Sequence, residues 1–209
     1  MCNEEVLGLI CARNFCPNYS YSFSYLIFLY AYSCDLHFGL CITNVMKIFS
    51  YFFFSLIFRA PEIILGLKYD TSMDLWSIGA TIYEIACGNV MFSGKTNNQM
   101  LKLFMELKGK IPNKLIRKGQ FRSNHFDDSC NFTSHETDKI TQRDKVTVLP
   151  VINKSRSLSH ELRGGERLTP ENNTRVTHLV DLLDKIHMID PQKRPSISDC
   201  LNHPFITEK

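Results

Sequence analysis

The sequence predicts a mainly α-helical fold, and three observations carry that expectation. Capped segments with helically spaced apolar residues recur beyond residue 70. The stretch from Lys108 to Gly165 is polar and reads as loop. Residues 1 to 54 share neither pattern and form a segment of their own. With 209 residues, 44% hydrophobic and 22% charged, the chain is long enough to bury one sizeable core.

The first strong helix follows Thr71 or Ser72 as cap. Its apolar residues Leu75, Trp76, Ile78, Ile82, Ile85 and Ala86 cover most of the circumference, and Gly88 ends it. Such a helix belongs in the middle of a core. Thr96 with Gln99 three residues later is a capping box, and Met100, Leu101, Leu103, Phe104 and Leu107 carry a second helix to Gly109. Thr169-Pro170-Glu171 opens a third, with Val176, Leu179, Val180, Leu183, Ile186 and Ile189 on one face and a stop at Asp190-Pro191. Ser196 with Asp199 caps a last short helix that closes at "HPF". The polar stretch at about 108–165 contains one short apolar run, "VTVLPVI", and reads as a loop-rich insertion; a loop of that length inside a domain is unusual unless it has a job.

Residues 1 to 54 are a different text. From Asn14 to Cys34 no residue is charged, and "YSYSFSYLIFLYAYSC" and "IFSYFFFSLIF" stack aromatics without the alternation of a strand or the stripe of an amphipathic helix. Three readings stand side by side. A membrane anchor at residues 19 to 34 is one, although the strongly apolar part, Tyr25 to Ala31, is much too short to span a bilayer and Glu4 and Glu5 stand where a signal would be basic. A buried core segment is another. The third is translated non-coding sequence, because Phe, Tyr, Ile, Asn and Lys are what AT-rich codons spell.

Several classes of chemistry are argued against. A net charge of +3 from 24 basic and 21 acidic residues is too balanced for a nucleic-acid binder. The eight cysteines include no CxxC pair and read as free thiols, and His125, Cys130 and His135 match no usual zinc spacing. "GNVMFSGKT" is not a P-loop: five residues separate its glycines instead of four, and a helix precedes it where a strand is needed. Gly94-Lys95-Thr96 reads as a turn and a helix cap.

The informative constellation is Arg59-Ala60-Pro61-Glu62, then "DLWSIGATIYEIACG", then "DPQKRPSISDCLNHPF". Together these resemble the lower, helical lobe of a eukaryotic protein kinase, from about residue 55 to 209. The phrase "GKTNNQMLKLFMELKGKIPNKLIRKGQF" and the insertion are similar to the pre-mRNA-processing, splicing-type serine/threonine kinases of the CMGC group. The resemblance implies that Glu62 pairs with Arg194, tying the end of the activation segment to the loop before the last helix. It implies that Asp74 holds the backbone of the catalytic loop, and that Trp76 and Gly79 pack their helix against its neighbours. Ala60 and Pro61 complete the structural motif.

For the complete family domain the resemblance implies ATP and Mg²⁺ as cofactors, splicing-factor proteins as partners and the nucleus as location. Phosphoryl transfer there needs a glycine-rich loop, a strand lysine, a catalytic Asp and Asn, and an Asp-Phe-Gly that holds the metal. No GxGxxG, VAIK-like strand or HRD-like loop precedes Ala60, which has 59 residues ahead of it, too few for an upper lobe and a catalytic loop. His37-Phe38-Gly39 carries two letters of the metal triplet, with Asp35 nearby, but Phe-Gly pairs are common and imidazole is a poor ligand for Mg²⁺. The expectation is therefore a partial kinase domain without catalytic, cofactor-binding or metal residues of its own, inactive alone. A non-catalytic interaction or pseudokinase module and a membrane-anchored fragment are the alternatives. Without the loop that Asp74 should hold, apolar surface should be exposed and solubility poor.

Overall fold

Pro61 opens the first helix, α1 (Pro61–Leu65), and Gly66 closes it in the left-handed region at φ 69, where its amide and that of Leu67 turn back on Glu62 and Ile63 carbonyls. These residues belong to a computed structural model that describes residues 56–137, 143–164 and 168–208. The aromatic segment 1–54, with the 19–34 run and His37-Phe38-Gly39, lies outside the described residues. Leu56 and Ile57, just after it, are buried.

Helix α2 (Ser72–Cys87) is the central element, and Gly88 ends it at φ 72. Its start differs from the expectation: Thr71 stands at the cap position without a side-chain bond, and Asp70 accepts from the Ser72 amide at 2.9 Å instead. Its faces differ as well. Leu75, Trp76, Gly79, Ala80 and Tyr83 are buried, while Ile78 is 51% exposed and Ile82, Ile85 and Ala86 are half-buried, so the helix has one core side and not a whole apolar circumference.

Helix α3 (Asn97–Lys108) starts at Thr96, whose hydroxyl accepts from the Gln99 amide. The Gln99 side chain returns to the Lys95 amide at 2.8 Å, one residue ahead of the reciprocal capping bond the sequence predicts. The turn between Gly88 and Thr96 thus joins a helix end to a helix cap.

The 108–165 stretch carries more regular structure than its polar composition indicates. It holds α4 (Asn113–Lys118), a 3₁₀ turn at Arg122–Asn124, strands β1 (Phe132–Thr137) and β2 (Asp144–Leu149), and α5 (Leu158–Arg163). The strands pair antiparallel with Phe132 opposite Leu149 and Thr137 opposite Asp144. Four of the seven residues of "VTVLPVI" are therefore strand, and Val146, Val148 and Val151 are exposed. The inward residues of β1 are Phe132 and Ser134, and Phe132 meets Phe126 edge-on.

Thr169 caps α6 (Pro170–Ile186) by accepting from the Asn172 amide. Leu182 joins the expected face, and Ile189 follows the helix end but remains buried. Ser196 and Asp199 form a reciprocal capping box on α7 (Ile197–Leu201), and α8 (Pro204–Thr207) ends the described chain. Trp76, Phe92 and Phe104 centre the main core, which takes side chains from α1, α2, α3, α4, β1, α5 and α6. Among the described residues no helix is long and apolar enough to cross a membrane.

Candidate functional site

The Ala60-Pro61-Glu62 turn is the focus of the buried polar structure. Ala60 is extended and buried, Pro61 supplies the first helical position, and Glu62 points inward with no solvent exposure. Arg194 meets it from the other end of the sequence. Its two terminal nitrogens donate to the two Glu62 oxygens at 2.6 and 2.7 Å, and both side chains are fully buried.

Two buried charges survive only if their remaining hydrogen-bonding capacity is used. Here it is: Arg194 Nη1 also donates to the Ser72 carbonyl at 2.9 Å and Nε to the Met188 carbonyl at 2.9 Å. The guanidinium carbon lies 5.0 Å from the centroid of the Trp76 ring, so the cation also rests on an aromatic face. The geometry joins α1, the start of α2 and the turn after α6 at one point. The 3₁₀ turn Pro191–Lys193, capped by Asp190, delivers Arg194 there.

Trp76 and Gly79 act on the adjoining face of α2. Trp76 packs edge-on to Phe104 and His187 and stacks on Phe92, with centroids 5.7 Å apart. A Cβ on Gly79 would lie 2.5 Å from Ile186 Cγ2 and 2.7 Å from His187 Cε1, so only glycine allows α6 this close. His187 donates from Nδ1 to the Leu183 carbonyl at 2.8 Å. Burial holds its pKa down to about 3, with the Leu183 bond opposing and the nearby Lys108 and Arg194 charges assisting. It is a neutral core residue.

Asp74 behaves differently. Its carboxylate is exposed and has no hydrogen-bond or ion-pair partner among the described residues. One turn on, Ser77 donates to the Phe58 carbonyl at 3.2 Å and secures the segment that leads into Arg59 and Ala60.

A second, half-buried network escaped the sequence. Arg156 donates to both oxygens of Glu161 at 2.8 and 2.9 Å and to the Met91 carbonyl, and the Tyr83 hydroxyl donates to Glu161 at 2.7 Å. Burial opposes the Glu161 charge, but Arg156 and Tyr83 overcome it and its pKa is lowered; burial and the Glu161 bond push the Tyr83 phenol up. Arg156 and Glu161 lie five residues apart in a polar stretch, which marks neither as part of a network, and nothing in the sequence points to Tyr83.

No group of three His, Cys, Asp or Glu side chains among the described residues is placed to hold a metal ion. His125 Nδ1 is taken by Asn98, Cys130 sits buried in a turn at φ 61, and His135 is exposed.

Comparison with known proteins agrees with the motif reading. The protein kinase domain model matches residues 34–206, beginning ahead of residue 55 and taking in His37-Phe38-Gly39. The serine/threonine-protein kinase prp4 of Schizosaccharomyces pombe is 37% identical over 155 residues, 74% of this chain and 32% of that protein. The serine/threonine-protein kinase prpf4B of Dictyostelium discoideum is 37% identical over 153 residues, 73% of this chain and 19% of its own length. The human dual specificity tyrosine-phosphorylation-regulated kinase 3 is 31% identical over 181 residues, 83% of this chain and 29% of that protein. The chain thus spans about a third or less of these relatives. With a family model over most of its length and serine/threonine kinases among its relatives, the chain belongs to the protein kinase family.

Proposed function

We propose that this chain is the helical-lobe part of a splicing-type serine/threonine kinase and acts as scaffold, without transferring phosphate by itself. The observation that carries the reading is the buried Glu62–Arg194 pair beneath the Ala-Pro-Glu turn, in a chain that resembles the family there. In this reading the pair fixes the end of the activation segment on the helical lobe. Trp76 and Gly79 set the spacing of α2 against α6, and Asp74 awaits the backbone of a catalytic loop. The exposed Asp74 carboxylate and the exposed Ile78 one turn along support that role for this side of α2. ATP, Mg²⁺ and transfer of the γ-phosphoryl group to Ser or Thr belong to the complete domain.

The relatives named prp4 and prpf4B support splicing-factor proteins as partners and a nuclear location. The non-catalytic interaction module is the second reading, and the 108–165 segment favours it: the hairpin and its short helices are tied into the core by Phe132 and Leu158 while Val146 and Val148 face outward.

The test is a phosphoryl-transfer assay on the purified chain with Mg²⁺-ATP and a serine-rich splicing-factor substrate, paired with a binding measurement on the same substrate. No transfer is expected. Transfer that persists at high purity would overturn the scaffold reading, and binding without transfer would favour the interaction module. Sequencing transcripts across the codons before Ser55 tests whether residues 1 to 54 are translated with the rest: joining instead to an exon that encodes HRD-like and DFG-like motifs makes the complete kinase the functional unit.

A further inference from the structure

A cleft of about 340 Å³ opens between the start of α3 and the β1–β2 hairpin, away from the Glu62–Arg194 pair. Its wall is held by one buried side chain, Asn98. The Asn98 amide donates to the Thr133 carbonyl at 2.8 Å and its oxygen accepts from the His135 amide at 2.9 Å. Two backbone groups therefore fix which end of the amide is nitrogen. That nitrogen also lies 3.2 Å from His125 Nδ1, so Nδ1 accepts and the ring proton sits on Nε2.

His125 is 93% buried, being 7% exposed, and lines the cleft. No described residue accepts its Nε2–H. Burial, then the charge of His135, holds its pKa down to about 4, so at neutral pH it is a fixed, uncharged donor.

Most of the other groups around the cleft are donors as well. Asn97 and Asn98 are the first residues of α3, whose leading amides have no intrahelical acceptor and carry the positive end of the helix dipole. Lys145 brings an exposed ammonium from β2. The one lining carboxylate, Glu136, is engaged by Lys102 at 2.7 Å and by the Ser134 hydroxyl at 3.0 Å, and it stands opposite Lys145 on the hairpin, whose charge also helps to lower its pKa. The donors come from a helix start, a buried ring and a strand, an arrangement suited to an anion with three acceptor oxygens.

We infer that this cleft is an anion site that takes a phosphoryl group, with His125 Nε2–H, the first amides of α3 and Lys145 as its donors. A phosphorylated serine or threonine of a bound protein and a free phosphate share this chemistry.

The test follows the imidazole resonances of the ¹⁵N-labelled full chain during titration with inorganic phosphate, with a phosphoserine peptide and with the same peptide unphosphorylated. The His125 Nε2–H signal should shift saturably with both phosphoryl probes and stay unmoved with the unphosphorylated peptide. Lys145→Ala, on an exposed side chain, should leave the spectrum folded and weaken binding by about tenfold. A peptide bound at least about tenfold tighter than phosphate assigns the site to a protein source, and equal affinities assign it to the free anion. A His125 signal that does not saturate, or binding indifferent to Lys145→Ala, overturns the inference.

Discussion

Two arginine–glutamate pairs flank the same aromatic stack, and they were solved by the chain in different ways. Arg194 grips Glu62 with both side chains fully buried and lies 5.0 Å from the Trp76 centroid; Arg156 grips Glu161 with about a fifth of each side chain exposed and lies 5.6 Å from the Phe92 centroid. Trp76 and Phe92 stack on one another between them. The first pair joins residues 132 positions apart, the second residues five apart. The same chemistry thus serves as a long-range clasp on one side and a local brace on the other. Burial, not bond geometry, sets the difference in what each should cost to break.

The largest effect should come from the clasp. Glu62→Ala leaves the Arg194 charge buried without its partner and should cost about 3–5 kcal/mol in urea unfolding. The double variant Glu62→Leu with Arg194→Met should recover much of that loss. If it is no more stable than Glu62→Ala, the cost lies in packing and not in the stranded charge.

Acid should act next. His187 is held neutral at about 3 and His125 at about 4, both below the ordinary value near 6.5. The unfolded chain therefore binds protons first as pH falls, and stability that is constant above about 6.5 is lost progressively below it. At pH 5 His187 alone should account for about 2 kcal/mol. A His187→Leu variant whose unfolding midpoint varies equally steeply between pH 7 and 5 would remove this residue from the account.

Gly79→Ala should cost about 1–3 kcal/mol, because the new methyl meets Ile186 and His187 in a packed core. Glu161→Gln should cost about 1–2 kcal/mol, since solvent reaches the pair and the amide still bonds Tyr83 or Arg156. Equal losses for Glu161→Gln and Glu62→Gln would erase the distinction between brace and clasp. Smallest of all, Ile78→Thr on the exposed side of α2 should stay within about 0.5 kcal/mol by thermal melting.

The sequence was most readable where local signals suffice. Gly88, Thr96, Thr169 and the Ser196–Asp199 box mark helix ends through bonds made within a few residues, and each stands at such an end. At the α2 start Thr71 stands at the expected cap position, but Asp70, one residue earlier, is the acceptor for the Ser72 amide. Ile78 is exposed although apolar, and helical periodicity cannot say which side of such a helix faces the core. The hairpin was hidden by composition: β1 reads Phe-Thr-Ser-His-Glu-Thr, and a buried serine on its inner face masks the alternation.

The site divides in the same way. Nothing in spacing joins Glu62 to Arg194; that expectation came from the resemblance. Tyr83 and Glu161, 78 residues apart, had neither a motif nor a local rule to connect them. The Asn98 link between α3, His125 and β1 is of the same kind, since its three partners become neighbours only once the hairpin has formed.

The separation of Glu62 from Arg194 also bears on how the chain is made. A ribosome delivers Glu62 132 residues before Arg194, so over that interval the carboxylate lacks its partner and α1 cannot be buried at low cost. The clasp closes only when the turn after α6 emerges. Any product that stops short of Arg194 keeps every core residue before it yet lacks the counter-charge, and quality control would meet a nascent chain that cannot lock.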